Sequence, residues 1–142
     1  MRGAPSSRTV VQTILFGGVR ADPTAREQAF LNPMQVVHGS PFPIQFDLVI
    51  LSAVHGAARG QLACTHRLLV DGAEMFRFDH APAPVALDNS GVSFKLELQS
   101  LQVPKPCTIV VETVLSSGVR GVDVPLRVVD RSALGKEGSW KA

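Results

Sequence analysis

Cysteine is scarce in this chain of 142 residues: Cys64 and Cys107 are the only two, too few for a disulfide framework. Charge is scarce as well, at 18% of residues against a usual level of about 25%. Lys and Arg exceed Asp and Glu by only 14 to 12. That balance leaves no clustered basic stripe of the kind nucleic-acid binding requires, and the low charge density leaves neutral or apolar surface suited to association. No apolar run approaches the length of a membrane-spanning helix, and the N-terminal residues lack the apolar core of a signal peptide. Arg2, Arg8 and Arg20 precede the first acid, Asp22, as in a transit peptide, but the β-branched start Thr9-Val10-Val11 reads as a strand after a leader. Gly-x-Ser-x-Gly elbows, His-Glu-x-x-His helices and phosphate-binding glycine loops are missing. The expectation is a cytoplasmic protein with no cofactor, no nucleic-acid partner and no membrane partner.

What is present is strand grammar. Val92 to Gln99 alternates without a fault, so Val92, Phe94, Leu96 and Leu98 share a core face. The phase shifts at Ser100, because Leu101 and Val103 are apolar at odd numbers, which predicts a bulge or a strand end there. Ile44 to Val54 starts with one wet face and turns apolar on both, and Gln61 to Val70 places Leu62, Cys64, Leu68 and Val70 on one side. Asp71-Gly72 supplies the residues of a type I′ hairpin, with Phe76 and Phe78 in phase on the return. Cys107 to Leu115, a turn at Ser116-Ser117-Gly118 and Val119 to Val129 close the domain, and Pro125 assigns the last strand to a sheet edge. Thr9 to Phe16 is a strand ending at Gly17-Gly18, and Leu31 to Val37 another. One helical turn or two is expected between Arg20 and Phe30, where Asp22 and Pro23 stand in capping order.

Turn signals about every ten residues and almost no helix predict an all-β, antiparallel immunoglobulin-like sandwich of about 7–9 strands. A jelly roll or small barrel is the alternative. Residues 1–8 read as a flexible leader, 9–130 as a single domain and 131–142 as a tail carrying Trp140. The run Leu98-Gln99-Ser100-Leu101-Gln102-Val103-Pro104-Lys105-Pro106-Cys107-Thr108-Ile109-Val110-Val111-Glu112, followed by Val124-Pro125-Leu126-Arg127-Val128, resembles the closing segment of a family of small, uncharacterised bacterial β-sandwich proteins. The motif Ile14-Leu15-Phe16-Gly17-Gly18 and the Asp71-Gly72 hairpin are placed compatibly. The resemblance implies a fold and a bacterial setting, with no activity and no site residues.

Chemistry-bearing candidates are few. His66 falls on the inward phase two residues from Cys64, and the pair offers two of the four ligands a structural zinc needs. The others would come from His55, His80, Asp79 or Cys107, at no recognised spacing, so metal is not expected and a histidine with a backbone partner is. Asp79, His80, Asp88 and Ser90 offer parts of a hydrolytic triad. Asp71, Asp79 and Asp88 offer oxygens for calcium, although turn aspartates are ordinarily just solvated. Cys64 and Cys107 both face inward and are expected as reduced thiols, with pairing across the sandwich as the alternative. Val49, Leu51 and Ala53, together with Val110 and Val114, put apolar groups on second strand faces and would form one patch unless Phe30, residues 31–37 or the tail covers them. With the edge at Asp123, Pro125 and Arg127 they make up the expected interaction surface. The function expected is a non-enzymatic protein-binding or assembly module, self-associating. A small metal-dependent or hydrolytic enzyme, and a structural subunit of a phage or secretion assembly, are the alternatives.

Overall fold

Asp71 and Gly72 have φ of 52° and 79°, the two left-handed residues that a type I′ turn demands. They fold β6 (Cys64–Val70) directly back along β7 (Ala73–Asp79), with Val70 opposite Ala73. The computed structural model describes residues 9–22, 27–85 and 91–132. The remaining strands are β1 (Val10–Asp22), β2 (Glu27–Pro33), β3 (Val36–Gly39), β4 (Ile44–His55), β5 (Gly60–Leu62), β8 (Ala83–Val85), β9 (Val92–Val103), β10 (Cys107–Leu115) and β11 (Val124–Asp130).

One sheet has the order β2-β1-β4-β9, the second β3-β11-β10-β6-β7, and β5 and β8 form a two-stranded flap. Between the sheets Leu15, Leu48, Ile50 and Leu96 of the first meet Leu68, Ile109, Val111, Leu126 and Val128 of the second in one buried cluster. A second cluster, Val54, Leu62, Cys64, Val85, Phe94 and Leu115, lies under the β5–β8 flap. The result is a β-sandwich, not closed into a barrel. In chain order β1, β4 and β9 take the places of immunoglobulin strands A, B and E, while β6, β7, β10 and β11 take C, C′, F and G. Among the described residues nothing stands in the place of strand D, so β9 is paired on one side only.

The phase shift at Ser100 is a bulge. Phe46 pairs with Leu101 and Leu48 with Leu98, so Gln99 and Ser100 together face Asp47. The Ser100 amide donates to Asp47 Oδ1 at 2.9 Å, and Ser100 has φ of 56°. A β-branched side chain fits that conformation poorly. Ser100→Val is therefore expected to cost about 1–2 kcal/mol, whereas Ser100→Gly is expected to be neutral or mildly stabilising. Paired urea melts check both.

Several expectations are corrected. Gly17-Gly18 does not end the first strand, which runs on to Asp22 and pairs with β2. The stretch expected to be helical is strand up to Asp22 and from Glu27; hairpin pairing outweighs capping residues that head too short an apolar repeat to hold a helix. The segment 31–37 is divided between β2 and β3, and 61–70 breaks at Ala63 into β5 and β6. The closing strand begins at Val124, not Val119, which leaves Val122 in a loop and 82% exposed. That strand is not an edge along its length. From Arg127 to Asp130 it pairs with β3, in parallel, so the sandwich is not antiparallel throughout. Pro125 precedes that pairing, and its missing donor costs nothing there. The leader 1–8, Asp88, Ser90 and Trp140 lie outside the described residues.

Candidate functional site: a buried polar relay

Three polar side chains occupy inward positions on otherwise apolar strands: Ser52 between Ile50 and Val54 on β4, His66 between Cys64 and Leu68 on β6, and Thr113 between Val111 and Leu115 on β10. Each is at most 1% exposed. In antibody domains a disulfide joins strands B and F at the centre of the sandwich and packs on a tryptophan of strand C. Here the strands in those places present Ser52, Thr113 and His66, and hydrogen bonds replace the covalent pin.

Burial obliges these groups to satisfy one another. Ser52 Oγ lies 2.8 Å from Thr13 Oγ1, 3.2 Å from Thr113 Oγ1 and 2.8 Å from His66 Nε2. Thr13 and Thr113 close a triangle at 3.0 Å. His66 Nδ1 in turn lies 2.8 Å from His80 Nε2. Each hydroxyl supplies one proton, so the triangle completes its three bonds only when every hydroxyl donates within it. Ser52 then accepts from His66 Nε2–H, and His66 Nδ1 accepts from His80 Nε2–H. The count of donors thus fixes His66 as the neutral Nε2–H tautomer and places a proton on His80 Nε2.

His80 reaches the relay from the rim. Its amide donates to the Cys64 carbonyl at 2.8 Å, placing it across from Cys64 just beyond the end of β7. Its ring, half-buried, stands edge-on to His66 and Phe78, both at 4.8 Å between centroids, and tilted against Phe94 at 5.5 Å. Cys64 Sγ lies 3.9 Å from His66 Nε2. Burial lowers the His66 pKa to about 4, helped by the neighbouring His80, and raises the Cys64 thiol to about 12. Burial also lowers His80, against an opposing pull from Asp79. Asp79 is exposed, accepts from Thr65 Oγ1 at 2.6 Å and pairs with Arg77 at 3.3 Å. The Thr65 hydrogen bond is the main reason its pKa is lowered.

The structure brings together Cys64, His66 and His80, one ligand atom from each lying within 4.8 Å of the others. It does not bring the other candidates to them. Cys107 and Cys64 are both free thiols. Cys64 lies opposite Leu115, so the length of β10, about 26 Å at 3.3 Å per residue, separates it from Cys107. Pairing across the sandwich is excluded. Asp71 and Asp79 flank opposite ends of β7, which rules out a shared calcium site. Ser52, His66 and His80 have the spacing of a nucleophile, base and orienting group, but the Ser52 hydroxyl is wholly buried and offers no face to a substrate.

The expected interaction residues divide between two surfaces. Val49 and Leu51 face outward from the first sheet and Val110 and Val114 outward from the second, so they point in opposite directions and form no common patch. Val49 is buried between its register neighbours Phe16 and Glu97, Leu51 is half-buried, and Asp123, Pro125 and Arg127 are exposed. Two groups escape sequence reading: Val10 and Ile14, 50% and 49% exposed on the outer face of β1. Their signal was the even phase of β1, opposite the odd phase of β4. Among the described residues no helix is long and apolar enough to cross a membrane. No protein-family model and no curated protein matches the chain, so the site is read from its own geometry.

Proposed function

We propose that the chain is a non-enzymatic association module that pairs with a second copy of itself through the outer face of the β2-β1-β4-β9 sheet. The observation that carries this reading is the apolar row on that face. Ile14 is half exposed beside Leu51, and Val10 lies half exposed two pleat repeats away, beyond Gln12. Burying such side chains is worth about 25 cal/mol per Å², and a contiguous apolar patch on a folded domain marks an association site.

The neighbouring strand supports a second copy as the occupant. β9 is 12 residues long and unpaired on its far side among the described residues. Lys95 and Glu97, 2.9 Å apart, present both signs of charge there. Both side chains lie on the outer phase of β9, so a two-fold axis near Leu96 sets Lys95 of each copy against Glu97 of the other and the charges beside the apolar row are self-complementary. Exposed ion pairs contribute little energy, but they fix register.

Light scattering coupled to size-exclusion chromatography tests the reading. The protein is expected to run as a dimer at high concentration, and Ile14→Lys as a folded monomer, because Ile14 lies outside the core. A strictly monomeric profile of the unaltered protein would overturn the proposal. Higher, open-ended stoichiometry would favour a subunit of a larger phage or secretion assembly.

A further inference from the structure

The relay leaves one chemical feature unexplained. A buried hydrogen-bonded network needs hydroxyls and one imidazole, yet this one continues through a second imidazole to the rim and carries a thiol at its side. We propose that Cys64, His66 and His80 form a binding site for a soft monovalent metal ion, copper(I) in the cell, held between one thiolate and two imidazoles.

The donor count prepares one of the ligands. With its Nε2–H committed to Ser52, His66 turns the Nδ1 lone pair toward His80, and a metal-ligating histidine characteristically spends its other ring nitrogen in this way. The hydroxyl triangle then serves as outer-shell support that holds the His66 ring in place. A proton now bridges His66 Nδ1 and His80 Nε2 at 2.8 Å. Two metal–nitrogen bonds of about 2.0 Å each need those atoms roughly an ångström further apart. His80 can supply that movement: it is the half-buried member, held at its ring by Phe78, Phe94 and His66 and lying where the chain leaves β7 for Ala81-Pro82. The same swing opens the way in from the surface.

Charge selects the ion. Thiolate and imidazole together suit copper and zinc. The pocket around Cys64 is apolar, formed by Val54, Leu62, Val85, Phe94 and Leu115. Among the described residues Asp79 is the one carboxylate that acts on the three ligands, through His80, and it faces outward with Thr65 and Arg77. Zinc(II) on one thiolate and two neutral imidazoles would leave a net positive charge buried without a counter-ion, which is costly. Copper(I) on the same ligands is neutral. Binding releases the Cys64 thiol proton to solvent and replaces it by the S–Cu bond, while His80 exchanges its Nε2 proton for one on Nδ1 and stays neutral, with no change of oxidation state. Three ligands also complete a trigonal copper(I) site, whereas structural zinc wants four.

The test is an anaerobic titration of folded protein with the coloured copper(I)–bicinchoninate complex, in a Cys107→Ser background that removes the other thiol. One equivalent of copper(I) is expected to be withdrawn, and none by Cys64→Ser or His80→Ala in that background, with circular dichroism confirming that each variant is folded. X-ray absorption of the loaded protein provides a readout independent of any substitution at the site, and one sulfur with two nitrogens is expected. No withdrawal by the folded Cys107→Ser protein, equal withdrawal by folded Cys64→Ser, or a shell of two sulfurs would each overturn the site. Stoichiometric zinc(II) binding that outcompetes copper(I) would overturn the monovalent assignment.

Discussion

Lowering the pH from 7 to 4 is expected to cost the metal-free protein, kept in chelator, about 3 kcal/mol of stability through His66 alone. In the unfolded chain this histidine titrates near its ordinary 6.5; in the fold, burial and the neighbouring His80 lower it to about 4. Between those values the unfolded state binds the proton and the folded state does not, so stability falls as pH falls. The loss begins near pH 6.5 and is complete near pH 4. The shift in His80 has the same sign and adds to it. Asp79, whose pKa is lowered, loses its contribution only below the carboxylate range and leaves the window clear. For a chain of this size the effect corresponds to a fall of roughly 10 °C in Tm. Urea midpoints taken every half pH unit read the slope, and the His66 proton resonances should show no titration above about pH 5. A flat stability profile from pH 6.5 to 4.5 would mean that the His66 ring is not held neutral in the sandwich.

The relay was only partly legible in the sequence, and the reason lies in one hairpin. Cys64 and His66 share a face by simple alternation, and that much was read. Running the Asp71-Gly72 hairpin back without interruption sets Asp79 opposite Cys64. The structure instead shifts register between Leu68 and Leu69, so that Thr65 pairs with Asp79 and His80 comes across from Cys64. The inward phase of Phe76 and Phe78 already required that extra residue, because an uninterrupted hairpin would have turned both outward. Ser52, Thr113 and Thr13 were missed for a different reason. A hydroxyl on an inward phase reads as a gap in the apolar pattern, and partners 61 and 100 residues apart in the chain leave no local trace.

The sandwich itself was legible because period-two alternation and turn chemistry act locally, and the Ser100 bulge shows how fine that reading can be. Edges were not. Pro125 pointed to an edge because it lacks a donor, yet a strand needs only a few unpaired residues to accommodate a proline, and β3 joins β11 just beyond it. Among the described residues β9 is an edge strand, and its alternation is the cleanest in the chain. Alternation reports that one face is buried, not that both sides are paired. The two proposals concern different parts of the fold: the proposed association uses the outer face of one sheet, the proposed metal site the interior rim of the other.

Truncation at the centre of the sandwich is expected to have the largest effect of any single substitution. Ile109 is fully buried on β10, with Val70 of β6 on one side and Leu126 of β11 on the other, and it belongs to the cluster shared with Leu15, Leu48 and Ile50 of the facing sheet. Its neighbours are anchored by two strand pairings, so they cannot collapse into the space left by its side chain. Ile109→Ala should then cost about 2–5 kcal/mol, the lost transfer energy plus a cavity term, and Ile109→Val about 0.5–1.5 kcal/mol. Against a total stability of about 5–15 kcal/mol the larger loss leaves little margin. Ile14→Ala, on a residue 49% exposed, should cost less than about 1 kcal/mol. Urea unfolding of the three variants, at a concentration low enough to keep the protein monomeric, separates the two positions. Equal losses at Ile109 and Ile14 would mean that the sheets do not face each other through β10.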